Sequence, residues 1–183
     1  GATDATAGIQ AAIDAAGAGG GVVFLPEGSY RVDGLLRVTS SGVALLGEGP
    51  DRSRLRFTRS TGMTDTGHLT FAGSGTFGDD LPLLADGARD AHEVLLADAS
   101  SLSAGDDVAL GWTISEAFVA EHGMQDFWAV SNGQWRAFFR REVVAVDTDS
   151  TPHRVTLDAP LRSAALLRDG ASLRAQPGLL REC

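Results

Sequence analysis

Asp4-Ala5-Thr6-Ala7-Gly8-Ile9-Gln10-Ala11-Ala12-Ile13-Asp14-Ala15-Ala16, and after a glycine-rich break Val22-Val23-Phe24-Leu25-Pro26-Glu27-Gly28-Ser29-Tyr30-Arg31-Val32, is the stretch on which the fold turns. Ile9, Ala12, Ile13 and Ala16 recur at helical spacing, and Asp4 or Thr6 stands where an N-cap oxygen is wanted, so the pattern predicts a helix over residues 5–16. Gly17, Gly19, Gly20 and Gly21 end it. The rhythm then changes. Val22-Val23-Phe24-Leu25 is a short unbroken apolar run closed by the turn Pro26-Glu27-Gly28-Ser29, and it reads as a strand buried on both faces.

Working outward, short strand-like segments follow in series: Tyr30-Arg31-Val32, Leu35-Leu36-Arg37-Val38, Val43-Ala44-Leu45-Leu46 and Leu55-Arg56-Phe57, separated by Gly34, Gly42, Gly47 and Gly49. This spacing leaves no room for helical crossovers, so the strands must turn corners. A period of roughly 20 residues, from Val22 to Val43, suits successive coils of a β-solenoid that stack and share a core. From Ser60 to Arg89 the pattern loosens around one strand candidate, His68-Leu69-Thr70-Phe71, and reads as a long loop or peripheral excursion. Strand signals return at Glu93-Val94-Leu95-Leu96, Asp107-Val108-Ala109-Leu110, Arg141-Glu142-Val143-Val144-Ala145-Val146 and Arg154-Val155-Thr156-Leu157.

The helix of type DTxAIQAAIDAA, the following GGxVxFPxGxY pattern, and Ser41-Gly42-Val43-Ala44-Leu45-Leu46-Gly47-Glu48-Gly49 against SGVTLxGEG together resemble the opening of the pectate-lyase superfamily. More weakly, Gly105-Asp106-Asp107-Val108, Arg141 to Val146 and Val155-Thr156-Leu157-Asp158-Ala159-Pro160-Leu161 are similar to a recurrent insertion in such proteins. The resemblance implies a mostly β fold: the start of a right-handed parallel β-helix with an N-terminal capping helix and an inserted β-rich, aromatic subdomain, the solenoid being incomplete. On this expectation one domain, 1–183, is laid out as a capping helix (1–21), first coils (22–59), a loop-rich excursion (60–91), inserted strands with an aromatic segment (92–162) and a truncated next coil (163–183). Ile9 and Ile13 would lie across the first coil and protect its open end. Family members are usually longer, which implies an N-terminal part of a larger protein, continued by a missing C-terminal portion or a second chain.

A chain of 183 residues fits one domain of ordinary size. No apolar run approaches the ~20 residues of a membrane-spanning helix, so no membrane partner is expected. Fifteen basic residues against 24 acidic ones give a net charge of -9, which repels a phosphate backbone and argues against a nucleic-acid partner. The single cysteine, Cys183, can form neither an intrachain disulfide nor a cysteine-based metal site.

Two chemistries dominate among polysaccharide-cleaving relatives of this fold: lyases that remove a proton beside a uronate carboxylate, often with Ca2+, and hydrolases that use paired carboxylates. The polygalacturonase-type signatures are not present as a set. Asp79-Asp80 and Asp106-Asp107 are adjacent pairs, which on a strand face opposite ways and make poor acid and base couples. The basic cluster Arg52, Arg54, Arg56 and Arg59 would put Arg54 and Arg56 on one strand face, able to grip carboxylates or simply to meet solvent. The richest segment holds Phe118, Phe127, Phe138 and Phe139 with Trp112, Glu121, His122, Asp126, Trp128, Trp135 and Arg140, and those last seven are the candidate substrate-binding residues. Tryptophan stacks on the apolar face of a sugar ring, and the polar members suit its hydroxyls; the same residues could equally form the insertion's own core. Ser131-Asn132-Gly133 would place Trp128 and Trp135 on either side of a hairpin. His122 has no second histidine at ligand spacing, no metal or other cofactor is evident, and Ca2+ is implied by the resemblance alone. No catalytic residue is assignable. The expectation is the N-terminal section of an extracellular polysaccharide-cleaving β-helix protein, a lyase or glycoside hydrolase, without turnover as an isolated chain. The alternative is a non-catalytic glycan-binding or tailspike-type β-helix. In both cases the partner is a polysaccharide or oligosaccharide.

Overall fold

The computed structural model describes residues 3–64, 66–128 and 133–183. The chain divides into two compact units, residues 1–75 with 178–183 and residues 76–177, where length alone favoured a single domain.

In unit 1, helix α1 spans Thr6–Gly17 and buries Ile9 and Ile13, the i and i+4 positions of its apolar face. These side chains join Val23, Val32, Leu36, Val38 and Val43 in one core. Neither Asp4 nor Thr6 is the N-cap; Ala5 holds that position without a side-chain bond. Asp4 Oδ1 instead accepts from the Thr6 N–H at 3.0 Å, the Thr6 hydroxyl at 2.6 Å and the Asp33 N–H at 3.1 Å. The Thr6 hydroxyl oxygen also accepts from the Gly34 N–H at 3.0 Å, and a Cβ on Gly34 would come within 2.7 Å of Thr6 Cγ2, so glycine permits this close approach. Gln10 serves both backbone groups of Arg37: its Nε2 donates to the carbonyl and its Oε1 accepts from the N–H, each at 2.9 Å.

Those Asp4 bonds set a pH dependence. The Thr6 hydroxyl first, then the Thr6 and Asp33 amides and the Arg31 charge, favour the Asp4 carboxylate and hold its pKa below the ordinary 3.8, against a smaller opposing effect of desolvation. A depressed carboxylate pKa contributes stability above its unfolded value, and that contribution is lost as pH falls through the folded value. The melting difference between wild type and Asp4→Ala is therefore expected to be full at neutral pH and to shrink in acid below 3.8. A difference constant with pH would sink this account.

Two passes of chain then pair in parallel. β1 (Gly21–Leu25) lies beside β4 (Val43–Gly47), β2 (Gly28–Val32) beside β5 (Ser53–Phe57), and β3 (Leu36–Val38) beside β6 (Leu69–Phe71). Gly21 faces Val43, Gly28 faces Ser53 and Leu36 faces Leu69, so the repeat stretches toward the end of the second pass. Strand β6 thus pairs within the second pass of chain, although its surroundings read as a peripheral loop.

A second correction concerns β1. Only Val23 of its apolar run is buried; Val22 is 59% and Phe24 50% exposed. A continuous apolar run signals burial on both faces only when a second layer covers the sheet, and within unit 1 that outer face is open.

Unit 2 is an all-antiparallel sheet of six strands in the order β7 (Leu81–Pro82), β12 (Ser172–Ala175), β9 (Asp107–Thr113), β10 (Trp135–Asp147), β11 (His153–Leu157) and β8 (Glu93–Leu96). A bridge between Leu83 and Leu96, with the Leu84 N–H donating to the Leu95 carbonyl at 2.8 Å, brings the two edges together. The sheet is thereby nearly closed into a barrel, which leaves little free edge. Strand β10 makes this possible by pairing first with β9 and then with β11, with register shifts at Ala137/Phe139 and Val143/Ala145 that bend it round. The core includes Leu96, Val108, Leu110, Val143, Val155 and Leu173. Residues 163–183, expected as a next coil, divide: β12 joins this sheet, and only 178–183 lie in unit 1, where Gly42 N–H donates to the Arg181 carbonyl at 3.0 Å. Among the described residues no helix is long and apolar enough to cross a membrane.

Candidate functional site

Strand β9 is buried at every position from Val108 to Trp112, because it lies between β12 and β10 with the core against it. Its Gly111 permits the close β10 neighbour; a Cβ there would meet the Arg136 carbonyl oxygen at 2.1 Å. Trp112 stands near the end of this rigid strand and is 2% exposed. The chain then enters helix α2 (Glu116–Glu121), whose N-cap Ser115 accepts from the Phe118 N–H at 3.1 Å. The same Ser115 hydroxyl donates to Asp169 Oδ1 at 2.5 Å, which ties α2 to the turn Leu167–Asp169.

These elements surround a cavity of about 320 Å³. One wall is aromatic, made by Trp112, Phe118, Trp128 and Phe138. Trp112 stacks flat on Phe138, with centroids 3.9 Å apart, and meets Phe118 edge-on at 5.9 Å. Trp128 lies parallel to Phe118 at 5.8 Å and is 37% exposed, and Phe138 is 38% exposed, so two rings of the wall remain open to solvent. Glu121, His122, Ser163 and Asp169 supply polar groups, with Ala164 and Leu166 between them. His122 Nδ1 donates to the Phe118 carbonyl at 2.8 Å, which leaves Nε2 as the other ring nitrogen for a ligand. Glu121 is ion-paired with Arg168, and Arg168 Nε also donates to Asp169 Oδ2 at 3.4 Å. Both carboxylates are therefore engaged, and the cavity offers stacking faces and hydrogen-bonding groups rather than a free acid and base couple.

Of the seven sequence candidates, Trp112, Glu121, His122 and Trp128 meet at this cavity. The other three do not line it. Asp126 is exposed in the turn after α2. Trp135 packs edge-on against Phe77 at 5.2 Å and under the Arg174 guanidinium at 4.2 Å. Arg140 donates from Nε to Gln176 Oε1 at 3.0 Å. Trp128 and Trp135 thus have separate surroundings; the proposed turn between them falls on Ser131 and Asn132, outside the described residues. Sequence reading missed Ser163, Leu166 and Asp169, which carry no local motif and reach the cavity only through long-range packing, and Arg168, which pairs with Glu121 and Asp169.

The acidic pairs have other partners. Asp80 accepts from Ser172 Oγ at 2.5 Å and Arg174 Nε at 2.8 Å, while Asp106 accepts from the Ser103 N–H at 2.8 Å. Among the described residues no group of three or more His, Cys, Asp or Glu is placed to hold a metal ion.

Residues 1–81 match the family described as rhamnogalacturonase A/epimerase, pectate lyase-like. The N-terminal part is pectate-lyase-like. Over 102 residues, 49% of this chain and 5% of the relative, it is 42% identical to the mannuronan C5-epimerase AlgE3 of Azotobacter vinelandii. In fold, the chain resembles the tailspike of Acinetobacter baumannii bacteriophage AP22, solved in complex with capsular saccharide, with a TM-score of 0.59 and 16% identity. That alignment covers 98% of this chain and 25% of the tailspike. The tailspike of Pseudomonas phage LKA1 aligns with a TM-score of 0.55 and 20% identity over 93% of this chain and 24% of that one. That of Pseudomonas phage phi297 gives 0.59 and 18% over 96% and 25%. The chain thus spans a twentieth of the curated relative and about a quarter of each tailspike.

Proposed function

We propose that this chain is the N-terminal section of an extracellular, polysaccharide-acting β-helix protein, and that the aromatic cavity of unit 2 binds a sugar ring of its glycan. In this reading α1 caps the first coil of a right-handed solenoid: Gln10 occupies both backbone groups of Arg37 and so denies that edge to another strand. The observation that carries the glycan assignment is the pairing of a solvent-open Trp128 with polar groups around one small cavity. An exposed indole gives the apolar C–H face of a pyranose a stacking partner, and Ser163 with His122 Nε2 supplies hydroxyl contacts.

The engaged state of Glu121 and Asp169 supports binding at this cavity over bond cleavage there. The alignment of both units with tailspikes, one of them holding a capsular saccharide, favours the glycan-binding alternative for this part of the protein. The family match and the epimerase relative support a catalytic solenoid, whether lyase, hydrolase or epimerase, in the whole protein.

Trp128→Ala is expected to weaken affinity for a bound oligosaccharide by ~1 to 2 kcal/mol, about one stacking contact, with the melting temperature nearly unchanged. Titration of wild type and variant against a panel of capsular, uronate and neutral oligosaccharides reads this directly. Equal affinity in the two proteins would overturn the assignment, as would a loss of binding explained by unfolding.

A further inference from the structure

We propose that the unit 2 cavity is selective for an N-acetylated amino sugar and turns uronates away, an inference that rests on the sugar-binding reading of that cavity. Its polar lining is rich in hydrogen-bond acceptors and poor in donors. Glu121 and Asp169 are carboxylates, which only accept when ionised. His122 spends its Nδ1 proton on the Phe118 carbonyl at 2.8 Å, so in the neutral ring Nε2 is an acceptor as well. The Ser163 hydroxyl and the Trp128 indole N–H are the remaining side-chain donors of the lining, since the Trp112 N–H is buried. Such a site is satisfied by a ligand that brings O–H and N–H groups of its own.

A uronate brings the opposite, one more acceptor and one more negative charge. Arg168, the cation beside the two carboxylates, is already committed: it is paired with Glu121 and donates from Nε to Asp169 Oδ2 at 3.4 Å. Two carboxylates against one guanidinium leave the site net negative. The wider field acts the same way. Unit 2 carries 16 of the 24 acidic residues and eight of the fifteen arginines, so eight of the nine net negative charges lie there and a sugar carboxylate is repelled. The apolar wall favours an acetamido group. Trp128 and Phe138 are its two open rings; Phe138 has one face covered by Trp112 at 3.9 Å, while Trp128 stands beside Phe118, so the two offer separate surfaces. One ring serves the C–H face of a pyranose, and the other is left for a small apolar substituent such as the acetamido methyl. Glu121 is paired through Oε2, which leaves Oε1 to accept the acetamido N–H. A cavity of about 320 Å³ lies at the small end of ligand sites and suits one substituted ring.

The test titrates the whole chain at neutral pH with three trisaccharides: tri-N-acetylchitotriose, cellotriose, which has the same backbone without acetamido groups, and trigalacturonate. Tri-N-acetylchitotriose is expected to bind about tenfold or more tighter than cellotriose, and trigalacturonate to bind weakest. Saturation-transfer NMR should place the acetamido methyl among the ligand protons closest to the protein. Glu121→Gln removes one negative charge and frees Arg168, so it is expected to raise trigalacturonate affinity about fivefold or more, with melting nearly unchanged because the pair it breaks is exposed. The wild-type ranking stands as a test even if that variant melts early. Cellotriose binding as tightly as tri-N-acetylchitotriose, or trigalacturonate binding more tightly than either, overturns the selectivity; if that binding is lost in Trp128→Ala, the sugar-binding reading itself survives. Trigalacturonate affinity within about twofold of wild type in folded Glu121→Gln overturns the part given to the carboxylates. Binding of none of the three overturns both readings.

Discussion

Replacing Ile13 by Asp is expected to destabilise unit 1 by about 4 kcal/mol or more. Ile13 is 2% exposed and packs, with Ile9, among Val23, Val32, Leu36 and Val43, which come from the helix-facing sides of both chain passes. A carboxylate at that position must be desolvated against hydrocarbon or must pull α1 away from the strands. Either route also exposes the Arg37 backbone groups now served by Gln10. Ile13→Val, which removes one methylene, should cost only about 1 kcal/mol. Urea unfolding followed by circular dichroism checks both. An unchanged midpoint for Ile13→Asp would show that the helix is not part of the core.

The second large effect is expected at Trp112. Truncation to Ala removes a buried ring that stacks on Phe138 and meets Phe118 and Phe139 edge-on, and should cost unit 2 about 3 to 5 kcal/mol. Trp112→Phe should cost less than half as much. The indole N–H is buried without a hydrogen-bond partner among the described residues, so losing it sacrifices no bond. The contrast with Trp128 is the informative measurement: the first substitution lowers stability, the second lowers glycan affinity. A Trp112→Ala protein with wild-type stability and selectively lost binding would reverse these roles and make Trp112 the primary sugar contact.

The difference between the two tryptophans shows where sequence reading stops. Both stand in the same aromatic segment with similar neighbours, and a sugar platform or an internal core fitted the composition equally well. Antiparallel pairing of β9 between β12 and β10 sinks Trp112, whereas Trp128 follows a short helix and keeps part of its ring in solvent. Likewise the pairing of Glu121 with Arg168, and of Asp169 with Ser115, decides that the cavity's carboxylates are engaged. Those partners lie far apart in sequence, and no spacing rule links them.

What the sequence by itself determined is the local order of unit 1 and four strand signals of unit 2, at residues 93–96, 107–110, 141–146 and 154–157. The 3.6-residue rhythm of Ile9, Ala12, Ile13 and Ala16 specifies α1, and the glycine-bounded apolar segments mark β1 to β5, because helix and strand periodicity is a property of a few neighbouring residues. Only the tertiary structure decided the rest: that Phe24 faces solvent, that β6 closes the second pass of chain, that β12 enters the antiparallel sheet instead of a further coil, and that Ser163 and Asp169 meet Trp128. Each depends on which surface is covered by which partner, and burial is a relation between distant segments that a local pattern cannot encode.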